Sequence, residues 1–140
     1  MRFRAVLLLP LLPLLMGATS YTSIEVAVAN VRTAQGRVHV DICTKATFLK
    51  DCAYMGEAPA RIGTTMVIVP NVPPGLYAAQ AFHDRNNNGK VDQGLFGIPK
   101  EGVGFSNDAL HMSEPRFDDA AFHHDGHNQQ INIGLKYFFR

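Results

Sequence analysis

"GRVHVDIC", residues 36–43, is the stretch on which the fold turns. Val38, Val40 and Ile42 alternate with His39 and Asp41, the period-two pattern of a strand with one face buried and the other in water. The same reading extends outward in both directions. Upstream, in TSIEVAVAN (22–30), Ile24, Val26 and Val28 alternate with Glu25 and small residues, and NVRTAQG (30–36) is long enough to be a hairpin turn between the two strands. Downstream, TTMVIV (64–69) is an apolar, β-branched run, which predicts a strand covered on both faces. The turn VPPG then leads into a strand LYAAQAFH (76–83), proline presetting φ and glycine permitting a positive one. The tail QQINIGLKYFF (129–139) places Ile131, Ile133, Leu135 and Tyr137 on one face. Helical patterning is confined to TFLKDCAYM (47–55), expected to form a short disulfide-tied turn or helix. Short strands separated by Pro/Gly turns predict an antiparallel β-sandwich.

The first twenty residues stand apart from this pattern. Arg2 and Arg4 precede an apolar segment, residues 5–16, and small residues Gly17, Ala18 and Ser20 follow. That order predicts a cleaved secretory signal peptide, with cleavage after Ala18 or Ser20. A membrane anchor needs about 20 apolar residues, and this segment has twelve, two of them prolines. No stable membrane anchor is therefore expected after cleavage. Residues 21–140 are expected to form one domain, within the usual size of ~100–150 residues, in a periplasmic or secreted setting.

Charge narrows the function classes. The chain holds 13 basic and 12 acidic residues, and loss of Arg2 and Arg4 leaves 11 against 12. With no basic excess, electrostatic attraction to nucleic acid has little to act on, and no nucleic-acid partner is expected. Cys43 and Cys52 enclose TKATFLKD. An even cysteine count in an exported chain predicts a disulfide between them.

The run "VPPGLYAAQAFHDRNNNGKVDQGLFGIPKEGVGFSNDA", with "FDDAAF" and the terminal "INIGLKY", resembles a family of small exported bacterial proteins known as domain of unknown function 2141. The likeness spans essentially all of the expected mature chain. Its central block, a strand ending in DxNxNGxxD followed by GIP and a further glycine, is also similar to calcium-binding repeat modules of bacterial surface adhesins. Those modules are immunoglobulin-like sandwiches. The resemblance therefore implies an immunoglobulin-like (prealbumin-like) sandwich of about seven strands, and it carries no established activity.

Within that block, "DRNNNGKVD" has the residues to hold a cation. With Asp84 as position one, side-chain oxygens fall at Asp84, Asn86 and Asn88, and Gly89 stands where the chain must turn. Lys90 would offer its backbone carbonyl, Val91 would point into the core, and Asp92 takes position nine. Position twelve, where an EF-hand has glutamate, is Leu95, and flanking helices are absent, so Glu101 is the distal candidate for a missing ligand. The competing reading is a tight turn at Asn88–Gly89, in which Asn and Asp cap their own backbone without any metal. Both readings stand at the level of sequence.

A second constellation, HHDGH (123–127), would present His123, His124 and His127 to zinc or copper, which favour imidazole nitrogen. On a strand, however, His123 and His124 face opposite ways. Catalytic patterns are weak. Ser106, Asp108 and His111 lie near one another in sequence only, and a triad is a matter of geometry. Asp118 and Asp119 are adjacent, hence on opposite faces of a strand and no dyad. The expected function is a non-enzymatic exported module that binds an unknown protein or glycan partner, the loop of residues 84–92 either holding a structural calcium or closing as a turn without any cofactor. The alternative is a periplasmic zinc- or copper-binding protein built on the histidines.

Overall fold

A computed structural model describes residues 2, 4–13, 22–93, 98–110 and 114–138. The expected signal-cleavage site, Leu95, His111 and the end of the last expected strand at Phe139 lie outside them. Residues 4–13 carry no helix or strand, and no described helix is long and apolar enough to cross a membrane.

Among the described residues, eight strands follow one another: β1 (Thr22–Val31), β2 (Arg37–Cys43), β3 (Tyr54–Pro59), β4 (Gly63–Val72), β5 (Gly75–Asp84), β6 (Val103–Phe105), β7 (Phe122–His124) and β8 (Gln129–Gly134). One sheet has the order β4-β1-β8; the other runs β3-β2-β5-β6, with β7 pairing the start of β5. The molecule is an all-β sandwich, as the alternation predicts. Its filling comes from the inward positions of both sheets. Ile24, Val26, Val28, Val67, Val69, Ile133 and Leu135 from the first meet Val38, Val40, Ile42, Tyr77, Ala79 and Ala81 from the second. Each fully buried valine or isoleucine there contributes roughly 1.5–3 kcal/mol relative to exposure.

The eight strands of the described residues agree with the expected sandwich of about seven, and the details depart from expectation in four places. The pairing is antiparallel except between β1 and β8, which run parallel with Val26 opposite Ile131 and Val28 opposite Ile133. NVRTAQG is not a hairpin turn: β1 and β2 lie in different sheets, and this segment crosses between them. TTMVIV is covered on one face only. Thr65, Val67 and Val69 are buried, while Met66 and Ile68 are 41% and 57% exposed, since none of the described elements packs on the outside of the first sheet. Of the turn or helix expected at residues 47–55, the turn is what forms, followed by the start of β3. The short helix, α1 (Phe117–Ala120), contains Asp118 and Asp119, so these lie on a helical turn and not across a strand.

The two sheets close on each other at both sides. A Cβ on Gly56 would stand 2.2 Å from the carbonyl oxygen of Ile68, so β3 can lie against β4 only with glycine there. Opposite, Val103 and Lys136 exchange backbone hydrogen bonds of 3.0 and 2.8 Å, joining β6 to the chain beyond β8.

Outside the second sheet lies a smaller apolar cluster of Ala78, Phe105, Ala109, Phe117 and Ala120, with Phe48 packed on it. Phe48 meets Phe105 and Phe117 edge-on at 5.8 and 5.9 Å. Cys43 and Cys52 are joined by the expected disulfide, with Cα atoms 5.1 Å apart.

Candidate functional site

β5 is an inner strand of the second sheet, between β2 and β6, and its last residue is Asp84. Eighteen residues, 85–102, separate β5 from β6, which pairs with it antiparallel; of these, 85–93 and 98–102 are described. This is far longer than the two-residue turn that Asn88–Gly89 suggests, although Asn87 (φ 55°) and Gly89 (φ 76°) do turn it through left-handed conformations.

The described part of this connection is folded around its own acidic side chains. Asp84, 4% exposed, accepts the N–H of Asn88 on Oδ1 (3.1 Å) and of Gly89 on Oδ2 (2.8 Å). Glu101, 5% exposed, accepts the N–H of Asp92 on Oε1 (3.0 Å) and of Arg85 on Oε2 (2.9 Å). The side-chain oxygens of Asn86 and Asn88 cap the backbone two residues on, at Asn88 and Lys90. Their Nδ2 groups both donate to Asp92, each at 2.6 Å and to different oxygens. Lys100 N–H closes the base by donating to the carbonyl of Asp92 at 2.7 Å.

Five of the six residues expected at this loop are thus brought together: Asp84, Asn86, Asn88, Asp92 and Glu101. Lys90 takes part through its N–H on Asn88 and through the charge of its ammonium, which helps to lower Asp92. Val91 is half-buried. The loop's electrostatics are uneven. Burial raises Glu101 above the usual glutamate value; the two backbone N–H bonds oppose this, and the neighbouring Asp92 adds to it. Asp92 is held below its ordinary value by the amides of Asn88 and Asn86. Of two neighbouring carboxylates, one keeps its charge easily and the other resists it.

The histidines do not form a comparable site. His124 is buried, with Nδ1 on Gln129 Oε1 (2.8 Å) and Nε2 between Thr22 Oγ1 (3.2 Å) and the Val72 carbonyl (3.1 Å). Both ring nitrogens therefore serve the fold. His123 faces the other way and is exposed; His127 is exposed and pairs with Asp125 at 3.3 Å. Among the described residues, no group of three or more His, Cys, Asp or Glu side chains stands ready for a metal. A cation in the loop would have to draw on amide and backbone oxygens as well as carboxylates.

Ser106 is also committed to the fold. Its hydroxyl, 3% exposed, donates to the Ala120 carbonyl at 2.6 Å and accepts the Ala79 N–H at 2.9 Å. Asp108 pairs with Lys136 at 2.9 Å.

One polar cluster escaped the sequence reading. On the outside of the second sheet, His39 bonds Asp41 through Nε2 (2.9 Å) and Glu57 through Nδ1 (3.1 Å), and Arg37 bonds Glu57 at 3.1 Å. Gln80 extends it by donating to Asp41 Oδ2 at 3.3 Å. The signal lay in the alternation itself, since residues 39 and 41 share a face; Glu57 is distant in sequence and enters only through pairing.

Compared with known proteins, residues 26–132 match the model of a family described as "Uncharacterized protein conserved in bacteria (DUF2141)". No curated protein and no solved structure matches the chain.

Proposed function

The chain belongs to the DUF2141 family of uncharacterized bacterial proteins, and from that premise we propose that it is an exported, non-catalytic β-sandwich module whose loop of residues 84–92, with Glu101, is ordered by calcium and helps to engage a protein or glycan partner. The observation that supports the calcium reading is that Asp92 receives the amides of both Asn86 and Asn88 and, through its N–H, reaches Glu101, while Asp84 caps the same loop at Asn88 and Gly89. Calcium takes six to eight oxygens at about 2.3–2.6 Å, from carboxylates, amides, carbonyls and water together. Asp92 and the amides of Asn86 and Asn88 would supply part of that mixture, with Asp84, Glu101 and backbone carbonyls as the further oxygens the loop can bring in. The Asn amides now donate to Asp92, and half a turn about their last torsion exchanges nitrogen for oxygen. A divalent cation would also remove the strain of charging Glu101 beside Asp92.

Export is supported by the charged, apolar and small-residue order of residues 1–20 and by the Cys43–Cys52 disulfide, which suits an oxidising compartment. The intact mass of protein recovered outside the cytoplasm should correspond to a chain starting near residue 19 or 21 with the disulfide formed.

The deciding experiment is thermal melting of EDTA-treated protein with and without several millimolar calcium. A rise with calcium and little response to magnesium is the expected result. Equal melting temperatures would show that the loop is closed by its own hydrogen bonds alone. A response to zinc but not calcium would move the site to the histidines.

A further inference from the structure

Residues 44–52 form a strap across the outside of the second sheet. Its internal hydrogen bonds are local: Thr47 and Phe48 donate to the Thr44 carbonyl, and Lys50 to that of Thr47. Three attachments hold it down. Covalently, the disulfide ties it to β2. Through Gln80 on β5, the side-chain oxygen accepts the Leu49 N–H at 3.1 Å while the amide donates to the Lys50 carbonyl at 3.4 Å. By packing, Phe48 sits edge-on against Phe105 and Phe117. A weak exposed pair, Lys45 with Asp118 at 3.6 Å, adds little.

Against these stands a strained backbone. Leu49 has φ 63°, the left-handed region that a bulky residue avoids, and its own side chain is 42% exposed. The apolar cluster beneath the strap is separate from the filling of the sandwich. Lifting the strap therefore exposes Phe105 and Phe117 without opening the space between the sheets.

We propose that the strap is a redox-controlled lid: reduction of Cys43–Cys52 by a dithiol frees Phe48 and uncovers the apolar site of Ala78, Phe105 and Phe117 while the sandwich stays folded. Cys52 is half-buried and Cys43 fully buried, so a thiolate of the reductant attacks the Cys52 sulfur and Cys43 leaves as the thiolate. The second thiol of the reductant then attacks the mixed disulfide. Two electrons and two protons pass to the protein, giving two thiols, and the dithiol becomes a disulfide. With the covalent tie gone, Gln80 and Phe48 must by themselves hold Leu49 in its strained conformation.

The test is limited trypsin cleavage after Lys45 and Lys50, read with binding of an apolar fluorescent dye and far-ultraviolet circular dichroism, before and after addition of dithiothreitol. The expected result is cleavage in the strap faster by on the order of tenfold, increased dye binding, and unchanged β signal. The double variant C43A/C52A should behave so without reductant. F48A, with its disulfide intact, should bind dye in the oxidised state. Loss of the β signal on reduction would overturn the proposal, because the disulfide would then be a staple of the whole fold. Unchanged cleavage would overturn it equally, because Phe48 and Gln80 alone would keep the strap shut.

Discussion

His39 lies on the outer face of β2 with a carboxylate on each ring nitrogen, and its ring lies 4.9 Å from that of Phe82. Burial by itself lowers its pKa, but the hydrogen bonds and charges of Asp41 and Glu57 outweigh burial and raise it above 6.5. Glu57 is lowered in turn, first by its bond to His39. A folded value above the unfolded one means that this stabilisation is fully present below pH 6.5 and is lost as pH rises through the folded value. The melting temperature should therefore decline on the alkaline side of 6.5, and His39→Gln should flatten that part of the profile. An identical slope in the variant would remove His39 from the explanation. The loop residues separate by burial. Asp84→Ala leaves two backbone donors, Asn88 and Gly89, without their acceptor, at about 1–3 kcal/mol each. Asp92→Ala touches a more open side chain and should shift the denaturation midpoint less than Asp84→Ala, yet it should abolish the calcium response. Denaturant titrations in EDTA, with melting in calcium, distinguish the two.

Strands differ in how openly they declare their faces. β2 alternates apolar with polar, so Val40 is readable as core, and Val40→Asp should cost several kcal/mol by forcing a carboxylate among apolar neighbours. β4 hides its faces, because Met66, Val67, Ile68 and Val69 are all apolar. Its inward set is fixed by pairing with β1, where Val26 faces Val67 and Ile24 faces Val69. Val67→Thr should then cost about 1–3 kcal/mol, the penalty for burying an unpaired hydroxyl. Ile68→Thr should change stability by less than about 0.5 kcal/mol. Reversed magnitudes in chemical denaturation would mean that β4 is flipped. At the seam between the sheets, Gly104 admits no side chain: an added Cβ would lie 2.6 Å from the Gly134 carbonyl oxygen. Gly104→Ala should accordingly lower stability by about 1–3 kcal/mol, as overpacking does, measured in the same way.

At the scale of the whole molecule, the proposed calcium acts by linkage. A ligand that binds only the folded state stabilises it by RT ln(1 + [L]/Kd), about 2.7 kcal/mol at a hundred times Kd. With amides replacing some acidic ligands, an affinity in the weak range of extracellular modules, ~10⁻⁴–10⁻³ M, is expected. Several millimolar calcium should then add ~1–2 kcal/mol and raise the melting temperature by a few degrees. The loop can transmit this to the fold because Asp84 ends an inner strand and Glu101 stands two residues before β6. Tying them together fixes the spacing of the β5–β6 pair.

The sequence by itself determined what depends on near neighbours. Alternation in residues 22–30 and 36–43 set two strands and their inward faces, because side-chain direction in a strand repeats every two residues. Cysteine parity anticipated the disulfide, and the DxNxNG spacing located a loop whose Asp and Asn side chains bond its own backbone and one another. Tertiary structure alone decided which strands are partners. The parallel joining of β1 to β8 links residues more than a hundred positions apart, and no local pattern encodes a pairing that distant. The outward face of β4, the binding of His39 by Glu57, the burial of His124 and the seating of Phe48 on Phe105 and Phe117 have the same origin. Each is a contact between segments that meet only after the chain has folded, and its energy depends on burial and neighbours rather than on the residue's own place in the sequence.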